Sequence, residues 1–280
     1  MSGAPRLMAI LAHPDDESMG MGGTLAKYAS EGVEVFLLTA TRGDRGRYRG
    51  LAQNDPAHPG REALAKIREA ELRNAAAVLG IREVSLLDYH DQDLDRANAA
   101  EVTAAIAGHI RRIRPDVVLT FGPDGAYGHP DHIAISQFAT GAVAAAAHPS
   151  SPGHPGETLP PHLVSKLYFI AWPASTWKGY EAAFRRLVST VDGVERQAQA
   201  WLDWSITTEI DTRSHWPTVW RAISCHESQV AAYEKLKDLS PEDHEALWGA
   251  QSFYRVFSTV NSGRVKETDL LEGIRAAPKG

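Results

Sequence analysis

Two short segments of the chain concentrate imidazole and carboxylate side chains: AHPDDES, from Ala12 to Ser18, and GAYGHPDH, from Gly125 to His132. Imidazole and carboxylate are the ligand types of catalytic zinc, which takes three protein ligands and keeps a further position for water. Asp15 and Asp16 are adjacent, and consecutive residues leaving a strand point in different directions, so one can ligate metal while the other faces the water. His129 and His132 lie three residues apart at the entry to a helix, which lets one ring reach the metal and the other face a reacting carbonyl. Pro14 and Pro130 stiffen both turns. Taken singly, each cluster has an equally good plain reading, because the chain carries 12 histidines and HPD triplets make good turns and helix starts. Their pairing, each after a predicted strand, favours metal chemistry.

The elements that must bring these clusters together are legible in the first half. Short apolar runs alternate there with longer amphipathic ones, the pattern of helices crossing between parallel strands. Leu7 to Ala12 reads as the first strand, Val33 to Thr39 as the second, Glu83 to Leu87 as the third and the β-branched run Asp116 to Phe121 as the fourth. Helices are predicted over Met19 to Ser30, Arg61 to Leu79, Glu101 to Ile113 and His132 to Ala147. In the second of these Leu64, Ile67, Leu72, Ala75, Ala76 and Leu79 recur at helical spacing. Gly32 and Gly80 stop the first two helices. The fold class is α/β: a Rossmann-like, open, mainly parallel sheet with helices on both faces. In the strand order 3-2-1-4 the first and fourth strands flank the point where the winding reverses, and ligands sit at their carboxyl ends. Both clusters fall there.

The second half is less regular. The stretch HPSSPGHPGETLPPH, residues 148–162, is a Pro/Gly-rich loop without apolar periodicity. Strands are predicted near Lys166 to Ile170 and Ser205 to Ile210 and a helix over Pro217 to Val230, within a tryptophan-rich, mixed α/β C-terminal third whose pairing stays open. Residues 1–280 read as one domain. With 29 basic residues against 35 acidic and a formal net charge of -6, no basic footprint for nucleic acid exists. The sequence has no apolar run of about 18 residues to span a membrane and no signal-peptide pattern at its start, so a cytoplasmic location is expected. A single cysteine, Cys225, excludes an intramolecular disulfide and reads as a buried structural thiol.

At the level of motifs, AHPDDE and HPDH resemble the two signatures of the PIG-L/LmbE-like family of zinc-dependent N-acetylglucosaminyl de-N-acetylases. The resemblance extends through TATRGDRG, IREAELRNAAAVLG, VSLLDYHDQDL, RPDVVLTFGPDGAYGHPDH and AISCHESQ, and so covers most of the chain. It implies one Zn2+ per chain, held by His13, Asp16 and His132, with Asp15 as general base and His129 assisting the carbonyl side. Asp131 would orient His129 or tune its protonation, and the hydroxyl of Tyr127 would join zinc and His129 at the oxyanion. The implied reaction is hydrolysis of the N-acetyl group of a small-molecule amino sugar of the GlcNAc type by metal-activated water. A homo-oligomer is compatible with the sequence, and iron stands beside zinc as the physiological metal.

Weaker candidates keep two readings. Arg42, Asp44 and Arg45 follow the second strand and either meet substrate or are solvated loop charges. Arg68 is given a substrate role by the resemblance, against a surface ion pair with Glu71 or Glu69. His226 reads first as a packing or helix-anchoring histidine, and the seven tryptophans as core before sugar platforms. Competing functions are an amidase on larger N-acyl groups or thiol-sugar conjugates, a two-metal phosphoester hydrolase, and a non-catalytic sugar-binding module on the same fold.

Overall fold

In the computed structural model, which describes residues 3–149, 159–177, 188–191, 194–229, 231, 236–263 and 265–275, a seven-stranded sheet organises the chain. Its order is β3-β2-β1-β4-β5-β9-β8. The strands are β1 (Arg6–Leu11), β2 (Glu34–Thr41), β3 (Glu83–Tyr89), β4 (Val117–Thr120), β5 (Lys166–Ala171), β8 (Thr208–Asp211) and β9 (Ala250–Ser258), and a separate hairpin is made by β6 (Val188–Val191) and β7 (Val194–Gln197). Strands β1 to β5 run parallel. β9 is antiparallel to β5, and β8 is antiparallel to β9. The expected 3-2-1-4 order is present, and the C-terminal third continues the same sheet.

Both faces of β1 are covered, which is why Leu7, Met8, Ala9, Ile10 and Leu11 form an unbroken apolar run and all have no exposed surface. Burying such side chains contributes about 1.5–3 kcal/mol for each large one. The covering helices are α1 (Asp16–Ser30), α2 (Arg61–Leu79), α3 (Ala99–Ile113), α4 (Pro130–Ala147) and, from the C-terminal third, α5 (Trp216–Cys225) and α6 (Pro241–Trp248). α1, α2 and α5 pack together, and α3 packs on α4. Because α1 and α2 carry the chain one way along the sheet and α3 and α4 carry it back, right-handed crossovers put the two groups on opposite faces. Gly23 in α1 permits the close approach of Thr212, whose Cβ would lie 2.8 Å from any Cβ placed there.

Several local expectations change. α1 begins at Asp16 rather than Met19, so the first cluster itself forms the helix start. α5 stops at Cys225 instead of running on to 230, because His226 leaves helical geometry. Cys225 is half-buried, with its thiol directed at the Arg221 carbonyl. Most of the expected 148–162 loop lies outside the described residues; within it, His162 Nε2 sits 2.7 Å from the Pro115 carbonyl. Among the tryptophans, Trp248 is buried, and Trp216, Trp220 and Trp248 pack around His244 at ring distances of 5.0–5.2 Å. They form a satellite core with Val219, Ile223, Leu236 and Leu247. No described helix is long and apolar enough to cross a membrane.

Candidate metal centre

β1 and β4 are neighbours in the sheet, so the residues after Leu11 and after Thr120 meet at one edge. Both HPD triplets act as helix starts. Asp15 is the N-cap of α1, and His129 is the N-cap of α4, its Nδ1 accepting the Asp131 N–H at 3.2 Å with Pro130 in the first turn. The plain reading of the triplets as helix starts is thus present in the structure.

Three donors converge between these starts. His13 Nδ1 lies 3.1 Å from His132 Nε2, His132 Nε2 lies 3.3 Å from Asp16 Oδ1, and His13 Nδ1 lies 3.8 Å from Asp16 Oδ2. Tetrahedral ligands held about 2.1 Å from zinc sit about 3.4 Å apart, which the two ring nitrogens approach, while Asp16 flanks them through different oxygens, Oδ1 towards His132 and Oδ2 towards His13. Asp16 is fixed from behind: its Oδ2 accepts the backbone N–H groups of Ala12 and His13 at 3.2 and 2.8 Å. Burial would raise its carboxyl, but His132, His13 and these donors outweigh that and hold it well below the usual carboxylate range.

His13 has a second contact set on its other nitrogen. Nε2 lies 3.0 Å from Asp131 Oδ2 and 3.2 Å from Asp91 Oδ1. Asp131 is buried and already an acceptor, taking the backbone N–H of Gln92 at 2.7 Å and of Leu94 at 3.2 Å. Burial would lower the pKa of the ring, but Asp91 and Asp131 outweigh it and raise His13 well above its ordinary value; a carboxylate in that position favours a proton on Nε2, so a metal would take the place of the proton on Nδ1. The carboxylate of Asp131 thus orients His13, and only its backbone N–H touches His129, in place of the expected carboxylate contact with His129.

Among the described residues, donor atoms that all lie within 4.8 Å of one another form two groups, His13 with His129 and His132, and His13 with Asp91 and Asp131. In the second group the Asp131 oxygens are engaged by backbone N–H groups and His13 Nε2. Among the described residues, a His/Asp site able to bind a metal is present.

Asp15 stands beside this set with an unusual backbone, φ 109 and ψ -24, a region that costs a non-glycine residue about 1–3 kcal/mol. Burial raises its carboxyl above the ordinary range, and Arg68, with Nη2 at 3.2 Å from Oδ2, offsets this in part. His129 is driven the other way. Burial, then the charges of His13 and His132, lower it to about 3, so it is a neutral imidazole. With Nδ1 accepting the Asp131 N–H, its proton resides on Nε2. The Tyr127 ring packs edge-on to His132 and His129 at 5.2 and 6.0 Å, on a turn where Ala126 adopts φ 65. Burial and the surrounding carboxylates push its phenol up, so it stays protonated.

The arginines divide. Arg42 lies in an ion-pair network with Glu69 and Asp88. Arg68 is buried rather than paired at the surface with Glu69 or Glu71: Nη1 donates to the Gly43 carbonyl at 3.0 Å, and Nη2 to the Pro14 carbonyl as well as to Asp15. Gly43, at φ +62, leaves room for it, since a Cβ there would lie 2.0 Å from Nη1. Asp44 accepts from Arg61 and from the Asp91 N–H at 2.9 Å, and Arg45 pairs with Asp93. These loop charges hold the segment that carries Asp91.

Asp91 was missed from sequence. It is 5% exposed, and His13 outweighs the effect of burial to hold its carboxyl well below the usual range. The available signal was its place directly beyond the third parallel strand, on the edge where ligands collect. Glu17 and His226, both without exposed surface, face each other at 2.8 Å beneath Asp15; Glu17 stood unassigned in the first motif.

Comparison with known proteins adds to this geometry. The family described as PIG-L, GlcNAc-PI de-N-acetylase, matches residues 8–143. A 1D-myo-inositol 2-acetamido-2-deoxy-alpha-D-glucopyranoside deacetylase of Kineococcus radiotolerans is 33% identical, over 96% of this chain and 83% of that protein. A protein of the same description from Thermobispora bispora is 31% identical, over 96% of this chain and 98% of its own length. Among solved structures, N,N'-diacetylchitobiose deacetylase of Pyrococcus horikoshii superposes with a TM-score of 0.67 at 23% identity, covering 90% of this chain and 84% of that one.

Proposed function

This chain belongs to the PIG-L family of GlcNAc-PI de-N-acetylases, and on that footing we propose that it is a metal-dependent hydrolase that removes the N-acetyl group of a GlcNAc-type amino sugar. The observation that carries the proposal is the convergence of His13 Nδ1, His132 Nε2 and Asp16 at 3.1–3.8 Å, with Asp15 and His129 beside them. The deacetylase relatives, similar over nearly the whole chain, support the amino-sugar substrate. Continuation of one sheet through β9 and β8 supports a single domain.

His13, Asp16 and His132 would hold one Zn2+. Such an ion lowers the pKa of a water to about 7 and polarises a carbonyl oxygen. The roles of the protein groups follow from their charge states. The Asp15 carboxylate, made more basic by burial, takes the proton from the attacking water. His129, neutral and protonated on Nε2, donates to the acyl oxygen as negative charge develops there. Tyr127, packed on both histidines, closes that side. When the C–N bond breaks, Asp15 returns its proton to the departing amine, leaving acetate and the free amino sugar. Arg68 keeps Asp15 in place by holding its carboxylate and the preceding carbonyl.

The test is acetate release by the zinc-loaded protein from N-acetylglucosamine, its 1D-myo-inositol glycoside and amides of longer acyl chains, with and without a chelator. Chelator-sensitive release from the acetylated sugars is expected. Preference for the longer amides would favour the amidase reading, and zinc binding without turnover of any amide would overturn hydrolysis.

A further inference from the structure

Asp15 is held in left-handed backbone geometry by contacts that reach it from the far end of the chain. Its N–H donates to Glu17 Oε2 at 3.0 Å. The other oxygen of Glu17 accepts from Ser18 Oγ at 2.5 Å and from His226 Nε2 at 2.8 Å. Glu17 and His226 have no exposed surface, so no solvent stands ready to replace either partner. A carboxylate that reaches back to the N–H of an N-cap residue is the second half of a capping box. Here it comes from the second helical position, and the cap itself has φ 109.

His226 lies in the turn that follows α5, where it accepts the Gln229 N–H at 2.9 Å. The same turn is fastened to α2. Ser228 donates its N–H and its hydroxyl to Glu71, both at 2.7 Å. One helical turn before Glu71 on that helix, Arg68 holds the Asp15 carboxylate and the Pro14 carbonyl. A single C-terminal turn is therefore bonded to both supports of Asp15: the Glu17 side, which fixes its backbone, and the α2 side, which fixes its carboxylate.

We infer that His226, acting through Glu17, is a positioning residue that aims the Asp15 carboxylate, so that the segment CHESQ sets the rate of proton transfer without touching substrate or metal. The inference rests on the reading of Asp15 as the proton acceptor. It separates His226 from a packing histidine by what its loss should do. A packing residue lowers the amount of folded enzyme, whereas a positioning residue lowers kcat in enzyme that is fully folded and fully loaded.

The experiment is a double-mutant cycle on the zinc-loaded protein with an N-acetylated amino sugar, reading kcat, KM and zinc per chain. His226→Leu should lower kcat about 10- to 100-fold, as expected for a displaced catalytic group, with KM and zinc content unchanged. His226→Gln, whose amide N–H can stand in for Nε2–H, should recover most of that loss. In an Asp15→Asn background His226→Leu should cost nothing further. Where His226→Leu does not fold, Glu17→Gln runs the same cycle. An equal loss in both backgrounds, or wild-type kcat in His226→Leu, overturns the positioning role. Full turnover by Asp15→Asn alone overturns the proton-acceptor reading first, and the two failures are thereby told apart.

Discussion

The carboxylate of Asp131 accepts from His13 Nε2 at 3.0 Å, and by doing so it decides which nitrogen of that ring is left for a metal. Asp131 is itself fixed by two backbone N–H groups from the loop after β3. The protonation of one proposed ligand is thus governed from a different strand from the one that carries it.

Asp131→Ala should weaken zinc binding about 10- to 100-fold, the usual cost of removing the partner of a ligating histidine. Competition against a chelating dye measures the dissociation constant. Turnover should return at saturating zinc. Unchanged affinity would show that His13 does not depend on this contact.

Asp15 and His132 should separate cleanly. Asp15→Ala should keep one zinc per chain while kcat falls about 10²- to 10⁴-fold, the span of a lost general base. His132→Ala should lose the metal. Elemental analysis beside acetate release decides it, and zinc retained by His132→Ala would mean the ligand set is wrong.

If its Nε2–H is used only as charge builds on the acyl oxygen, as proposed, His129→Ala should reduce kcat about 10²- to 10³-fold with KM nearly constant. Steady-state kinetics read this directly. A rise in KM with kcat preserved would assign His129 to substrate binding instead.

A buried carboxylate outside this site should contribute to acid stability. Glu267 is 1% exposed and accepts from Lys166, Tyr168, Thr208 and Asn261 at 2.8 Å and from Arg255 at 2.7 Å. Burial would raise its carboxyl, but these donors lower it to about 2, against about 4.3 when unfolded. Its contribution, up to about 3 kcal/mol, is complete above the unfolded value and is lost as pH falls from about 4.3 towards about 2. Urea unfolding at pH 7 and pH 3 should show a smaller acid penalty in Glu267→Gln, which should also be less stable at pH 7 because Lys166 loses its counter-charge. Equal acid penalties would show that the linkage lies elsewhere.

The parallel half of the fold could be read from sequence because strands buried on both faces are written as continuous apolar runs, as in Leu7 to Leu11. β8 and β9 were harder: β9 pairs with β5 and β8, partners distant in sequence, and Glu267 joins them through side chains that no local pattern connects. The site divided in the same way. His13, Asp15, Asp16, His129 and His132 sit in two compact motifs, whereas Asp91 and His226 acquire their place only when β3 and α5 pack. Asp131 was paired in sequence with the adjacent histidine, since sequence proximity cannot show that its carboxylate faces His13 of the first motif.

The backbone at Asp15 also carries a cost for anyone evolving this protein. Left-handed geometry at that position suits glycine better than any residue with a Cβ, so a library selected for heat resistance alone should drift towards Asp15→Gly. Its winners would be robust and inert. Directed improvement therefore needs turnover in every round of selection, because on the proposed role of Asp15 the most comfortable residue and the working residue are different ones.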